Sequence, residues 1–310
     1  GESISGSTHG KHNCLSPLSQ DFPSQKLLLN ANFAGLGSAV WHARQPWSAS
    51  MSSSEPGILS FQCNICGACC QFQLDRLERE TISCAECRST PRVRAIIDIF
   101  ARKLIGQSMP LPQFPEDHSL RGLGMTDLEN YASRLAKKFN YQNTYLHREP
   151  RLDIAAEVSP TLRGSNDFVI SSDVFEHVVP PVARAFDNVF QLLKPGGLFI
   201  LTVPFGTQPK TIEHFPELHD FQIVETDGSY VLTNVTREGV VQRFDRLAFH
   251  GGPGTTLEMR VFAECDLINH LVAAGFLELE VYRNPFFQYG IWWAGPCSFP
   301  ISARKPANRS

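Results

Sequence analysis

The chain has 310 residues, 42% of them hydrophobic, and a formal net charge of −3. That length holds one large α/β domain and something small besides, and that charge sets up no global basic field to favour nucleic acid or an anionic membrane as the main partner. The most apolar run, residues 198–203 with its flanks, falls far short of the roughly 20 residues that cross a bilayer, so no membrane span is expected.

Residues 1–50 hold nine serines and only two acids, Glu2 and Asp21, with no sustained helical or strand period. They are predicted to form a poorly ordered extension reaching to about residue 57. An upstream extension ahead of Met51 fits this composition, and a transit peptide is the competing reading.

Residues 61–90 read FQCNICGACCQFQLDRLERETISCAECRST. Cys63 and Cys66 form one Cys-x-x-Cys pair, Cys84 and Cys87 another, and seventeen residues separate them. Each short pair lets two thiolates converge from one tight turn, and two such turns complete a tetrahedron for zinc. Four protein ligands leave no open position, so the ion is expected to be structural. Residues 58–90 are therefore predicted to be a small zinc-ribbon-like module, with Cys69 and Cys70 as bystanders. Paired thiols of this kind, with no secretory signal peptide recognised, favour a reducing cytoplasmic setting.

Residues 91–118 read as a linker helix and a Pro-rich connection. Ile96, Ile97, Phe100 and Leu104 recur at helical spacing beneath Arg92, Arg94, Arg102 and Lys103. A solvated basic face is the expectation, and RNA binding its alternative.

From Ser119 onward strand and helix patterns alternate, which predicts an α/β doubly wound, Rossmann-like sheet over 119–310. An apolar start at Leu120 runs through Gly122-Leu123-Gly124 into a helix at about 128–139. Glycines at such a junction let backbone approach a ligand closely, although a bland turn reads the same way. A strand over 143–149 follows, which places Glu149 and Asp153 at the carboxyl edge of the sheet, where open α/β sheets bind ligands. A buried strand at 168–170, a helix over 182–193 and a strand at 198–203 come next. Lys194 is expected to complement the helix end, and Gly196 or Gly197 to cap it. Alternation at 230–236 and 240–249 predicts a hairpin inserted within 206–262, able to cover the cleft and carrying His214, His219 and His250 as candidate acceptor contacts. A helix at 265–274 and strands at 277–283 and 301–305 close the sheet.

DFVISSDVFEHV (167–178) together with LLKPGG (192–197) resembles class I S-adenosylmethionine-dependent methyltransferases, over roughly residues 119–304. The cysteine module is similar to the small four-cysteine domain that precedes some bacterial members. The resemblance implies S-adenosylmethionine as cofactor, with Gly122 and Gly124 flanking its methionine part and Glu149, with His147 as a competitor, taking the ribose hydroxyls. Asp153 would take the adenine amine, and Ser172 and Asp173 would line the site. Arg121 stands where the family usually carries an acid before a richer glycine run, and the helix that normally separates the ribose and adenine acids is missing.

The function this implies is methyl transfer to a small-molecule or glycan-like acceptor. His177 is the best candidate for a general base, and packing at a helix start is its competing role. A zinc-bearing RNA methyltransferase and a cofactor-binding protein without catalysis are the alternatives. An NAD-dependent oxidoreductase is disfavoured, because the first loop lacks the third glycine of G-x-G-x-x-G.

Overall fold

The computed structural model of the chain describes residues 57–226 and 228–307. Residues 1–56, the expected extension, lie outside the described residues. The cysteine module opens on two antiparallel strands, β1 (Ile58–Gln62) and β2 (Cys69–Gln73). The first Cys-x-x-Cys pair occupies the turn between them. Gly67 N donates to Cys63 O at 2.7 Å with φ at +86°, a left-handed conformation that costs glycine least.

Helix α1 (Pro91–Phe100) follows directly, with proline in its first turn and the Thr90 hydroxyl accepting from Val93 N. It is not the linker with a solvated basic face that its pattern predicts. Every one of its residues is buried, and Val93, Ile96, Ile97 and Phe100 pack onto one face of the central sheet. The reason lies in Arg92 and Arg94, of which the first pairs with Glu80 and Asp173 and the second donates to Ser83 and Gly290 inside the molecule.

Strand β3 (Asp117–Met125), helix α2 (Glu129–Lys138), β4 (Phe139–Thr144), β5 (Asn166–Ser172), helix α3 (Ala183–Leu192) and β6 (Leu193–Thr202) build the parallel part of the sheet. The six strands run in the order Leu277–Val281, Ile301–Arg304, β6, β5, β3, β4. Ile301–Arg304 pairs antiparallel with both Leu277–Val281 and β6, and β6, β5, β3 and β4 pair in parallel.

Successive side chains on a strand face opposite ways, so the apolar strands feed two cores. Phe139, Tyr141, Phe168, Ile170, Leu198 and Ile200 face α1 and α2. Leu123, Val169, Phe199 and Leu201 face α3 and helix α4 (Glu264–Ala273). Helices thus cover both faces, the doubly wound arrangement expected.

Three local expectations change. The second strand is Phe139–Thr144 rather than 143–149, because Phe139 and Tyr141 alternate into the core and α2 runs straight into them. The helix-stop sequence belongs to β6. Gly196, at φ +78°, sits where β6 and β5 shift register, and Lys194 Nζ pairs with Asp167 Oδ2 at 2.7 Å instead of with the end of α3. The predicted hairpin of the insertion is a three-stranded sheet, with Asp220–Thr226 added to Ser229–Val235 and Val241–Phe244. Phe215, Leu232, Leu257 and Met259 give it a small core of its own.

Candidate functional site

The four sulfurs of Cys63, Cys66, Cys84 and Cys87 lie within 4.8 Å of one another. Cys63 and Cys87 are 3.5 Å apart and Cys66 and Cys84 3.7 Å, close to the edge of about 3.8 Å that zinc–sulfur bonds of about 2.3 Å impose on a tetrahedron. Cys69 and Cys70 stay outside the group. The hydrogen bond with Cys87 holds the Cys63 thiol down at about 4, whereas burial pushes Cys66 up to about 11.

Arg94 is fully buried beside the cysteines. Its guanidinium donates to Ser83 Oγ at 2.8 Å and Gly290 O at 2.7 Å and lies 4.6 Å from the centre of the Phe61 ring. No acid pairs with it among the described residues. An uncompensated buried charge is costly, and a tetrathiolate with a divalent ion carries the negative charge that would balance it.

The loop between the two cysteine pairs reaches the carboxyl edge of the sheet. Arg79 grips Asp173 with two hydrogen bonds, Nη1 to Oδ2 at 2.9 Å and Nη2 to Oδ1 at 2.7 Å. Arg92 Nε lies 3.2 Å from Asp173 Oδ2 and 2.6 Å from Glu80 Oε1, and its Nη1 donates to Ser172 Oγ. Thr202 at the end of β6 donates to Asp173 Oδ1 at 2.9 Å. Burial alone would raise the Asp173 carboxyl, but Arg79 and Arg92 hold it well below the usual carboxylate range.

The other residues expected around a cofactor are spread along this edge. Gly122 and Gly124 lie inside β3 rather than in a loop after it. A Cβ on Gly122 would come within 2.1 Å of the Phe168 ring, and one on Gly124 within 1.9 Å of Tyr141 Oη. Both glycines admit neighbouring rings to the core, and the left-handed turn comes two residues after Gly124, at Thr126 with φ +57°. Asp153 is half-buried and accepts from Ala155 N at 2.9 Å. Glu149 is exposed and accepts from Arg151 N at 3.0 Å. Asp127, just past β3, is buried and accepts from Tyr141 Oη, and burial raises its carboxyl to about 7. Its Oδ1 and the hydroxyl of Tyr131 have no hydrogen-bond partner among the described residues. Orphaned polar atoms at the end of β3 suit the amino and carboxylate groups of an amino-acid ligand.

Beyond Asp173 the chain makes a short 3₁₀ turn, Phe175–His177, which the insertion clasps. Arg260 donates to Phe175 O at 2.8 Å and Val178 O at 2.6 Å, and Met259 N donates to Glu176 O at 2.8 Å. These contacts bring together Glu176, His177, His250, Glu258 and His214. His177 Nδ1 lies 2.8 Å from Leu257 O, and His177 Nε2 lies 3.1 Å from His250 Nδ1. Glu258 receives His250 Nε2 and His214 Nε2, each at 2.9 Å. Although burial raises the Glu258 carboxyl, these two imidazoles hold it at about 2. Burial lowers His177 below the usual imidazole range and pushes Glu176 well above the usual carboxylate range. Of the three insertion histidines, His214 and His250 enter the cluster, and His219 stays exposed just before the strand Asp220–Thr226, its N donating to Asn234 Oδ1.

Residues 123–201, which run from β3 through nearly all of β6, match a family model described as a methyltransferase domain. No curated protein matches the chain. Among solved structures it is similar to the 1,6-didemethyltoxoflavin N1-methyltransferase of Burkholderia thailandensis, at 15% identity over 68% of this chain and 78% of that one, with a TM-score of 0.36. An amino pentose methyltransferase from Micromonospora echinaspora matches at 15% identity over 70% and 92%, with a TM-score of 0.38. A sugar N-methyltransferase from a Streptoalloteichus species matches at 15% over 72% and 87%, with the same score.

Sequence reasoning missed Arg79, Glu80, Asp127, Glu176 and Glu258. For Glu176 a signal existed: an acid between the apolar Phe175 and the valine pair Val178-Val179 stands in a run that reads as buried. For Arg79 and Glu80, in the charged run DRLERE, there was none.

Proposed function

We propose that the chain is an S-adenosylmethionine-dependent methyltransferase acting on a small-molecule or glycan-like acceptor. The observation that carries this reading is the family match over residues 123–201, which spans the parallel strands whose carboxyl edge gathers the polar groups described above. In this reading Gly124 and Asp127 lie against the methionine part of the cofactor, Ser172 and Asp173 line its binding edge, and Glu149 and Asp153 receive its ribose and adenine. Gly122 keeps the backbone close by admitting the Phe168 ring. The bound sulfonium supplies an electrophilic methyl group, so the protein mainly orients the acceptor and excludes water.

His177 is the proton acceptor. The Leu257 carbonyl fixes a hydrogen on Nδ1, which leaves the Nε2 lone pair facing His250, and burial keeps the ring neutral. One proton taken up between the two rings is stabilised through His250 by Glu258. The cysteine module carries a structural zinc ion, and Arg94 complements the net negative charge of the tetrathiolate that holds it.

A small acceptor is favoured over RNA by the fate of the basic helix. Arg92 and Arg94 are buried, Arg102 pairs with Asp98 at 2.8 Å and Lys103 with Glu280 at 2.7 Å. The stripe that recommended nucleic acid is therefore not a free cationic surface.

Calorimetric titration with S-adenosylhomocysteine, NAD and a short RNA tests the reading. Only the first should bind tightly. Asp153→Ala should bind it tenfold to a hundredfold more weakly, the equivalent of roughly 1.5 to 3 kcal/mol for a charged hydrogen-bond acceptor. Wild-type protein that ignores S-adenosylhomocysteine would sink the enzyme reading, and an unaffected Asp153→Ala would sink only that residue's role.

A further inference from the structure

Glu176 is a buried acid of unusual standing. Its side chain is 0% exposed, and neither carboxylate oxygen has a hydrogen-bond partner among the described residues. Oε1 points at two imidazoles, 3.6 Å from His177 Nε2 and 3.8 Å from His250 Nδ1. Asp173, three residues earlier, has two arginines, whereas among the described residues no Lys or Arg pairs with Glu176.

The far nitrogens of the two rings decide what their near nitrogens present. His177 Nδ1 faces a carbonyl oxygen, which can only accept, so that nitrogen carries the hydrogen and Nε2 a lone pair. His250 Nε2 faces the Glu258 carboxylate, so it also carries a hydrogen, and a neutral ring offers its lone pair at Nδ1. Two nitrogen lone pairs and one carboxylate oxygen therefore converge on one point. Such a set repels itself unless a proton or a metal cation sits inside it.

We propose that Glu176, His177 and His250 form a second metal site, which takes a first-row divalent cation of the zinc class. Metal–nitrogen bonds of about 2.0 to 2.1 Å put two ligating nitrogens about 2.9 to 3.4 Å apart, and the two here are 3.1 Å apart. The candidate ligand atoms of all three residues lie within 4.8 Å of one another. Imidazole ligands select zinc, cobalt or nickel over magnesium and calcium, which prefer oxygen. The surroundings are those of a metal site: Leu257 O orients one ring, and Glu258 orients the other while also holding His214.

Three protein ligands leave a position open, and His250, 30% exposed, marks the side from which it is reached. An acceptor bearing a hydroxyl or carboxylate oxygen fits there. That role rests on the methyl-transfer reading, whereas metal binding does not. A proton shared by His177 and His250 and a divalent cation compete for the same lone pairs.

Cobalt(II) titration of the full zinc-loaded chain, followed by visible absorption and calorimetry, tests the site. One equivalent should bind beyond the zinc on the cysteines, without a thiolate-to-cobalt charge-transfer band. His250→Ala and Glu176→Gln should each weaken it at least tenfold, and Glu258→Gln about tenfold to a hundredfold through lost orientation. Melting curves and retained cysteine-bound zinc check folding. Should Glu176→Gln fail to fold, His250→Ala, at a partly exposed position, decides alone. No uptake of cobalt, or uptake with undiminished affinity in His250→Ala, overturns the proposal. S-adenosylhomocysteine titrated in parallel separates the two readings: cobalt without cofactor leaves the metal site and removes the methyltransferase, and cofactor without cobalt does the reverse.

Discussion

Two regions meet the carboxyl edge of the sheet, and they bring opposite chemistry to it. The cysteine module and α1 deliver cations, and Arg79 and Arg92 neutralise Asp173. The insertion delivers imidazoles and a second acid, and it leaves Glu176 without a charged partner while enclosing it. Asp173 and Glu176 are three residues apart on one connection, yet one is a paired structural anion and the other a buried carboxyl without a hydrogen-bond partner among the described residues. Local sequence cannot distinguish two such acids. What separates them is which distant segment folds over each, and an unsatisfied buried group costs enough to demand a reason.

The largest effect is expected at the cysteines, where the zinc ion is proposed. Purified protein should carry about one zinc per chain at the cysteines, and Cys63→Ser with Cys84→Ser should abolish it. Structural zinc in small domains accounts for most of their folding free energy, so the module should lose cooperative melting. Because Arg79 and Arg92 reach Asp173 from this side, S-adenosylhomocysteine affinity should fall as well. Metal analysis with calorimetry checks both, and unchanged affinity would mean that the two arginines hold their places without the module's metal.

The next effect is at Asp173 itself. Asp173→Ala leaves two buried guanidiniums facing one another and should cost about 3 to 5 kcal/mol in chemical denaturation. The double variant that also replaces Arg79 by Met should recover part of the loss. Failure to recover would place the cost elsewhere than in unpaired charge.

Asp127 sharpens the comparison because it has neither a direct cation partner nor imidazoles. Its carboxyl is raised to about 7 in the folded chain, against about 3.9 unfolded, so the folded state binds its proton more tightly. The stabilisation is complete below about pH 4 and is lost as pH rises through about 7, by about 3 kcal/mol or less. Asp127→Asn should flatten that part of the stability profile. Denaturation midpoints measured between pH 4 and 8 would show it, and a wild-type profile that already lacks the decline would refute the raised carboxyl.

Much of the fold was legible because it rests on local periodicity. The helices at 129–138 and 264–273 fall within one residue of their predicted spans, and the strands at 166–172 and 301–304 lie where short apolar runs predict them. The misplaced second strand shows the limit. Phe139 and Tyr141 alternate as strand residues should, but a helical pattern runs into them without a break, and only packing against Phe100 and Phe168 decides their state. The basic helix was misread for a related reason. A guanidinium looks solvated in sequence whether it meets water or, as Arg92 does, two acids at positions 80 and 173.

The sequence by itself determined the paired thiols, the doubly covered parallel sheet and the acids near its carboxyl edge, because short spacing and side-chain periodicity act over a few residues. Tertiary structure alone decided which of those acids stay charged and what they face. Asp173 and Arg79 are 94 residues apart, and His177 and His250 are 73. Contacts at such separations arise only when distant segments dock, and in a buried setting the electrostatics of a carboxylate depend on the partner that docks rather than on its neighbours in the chain.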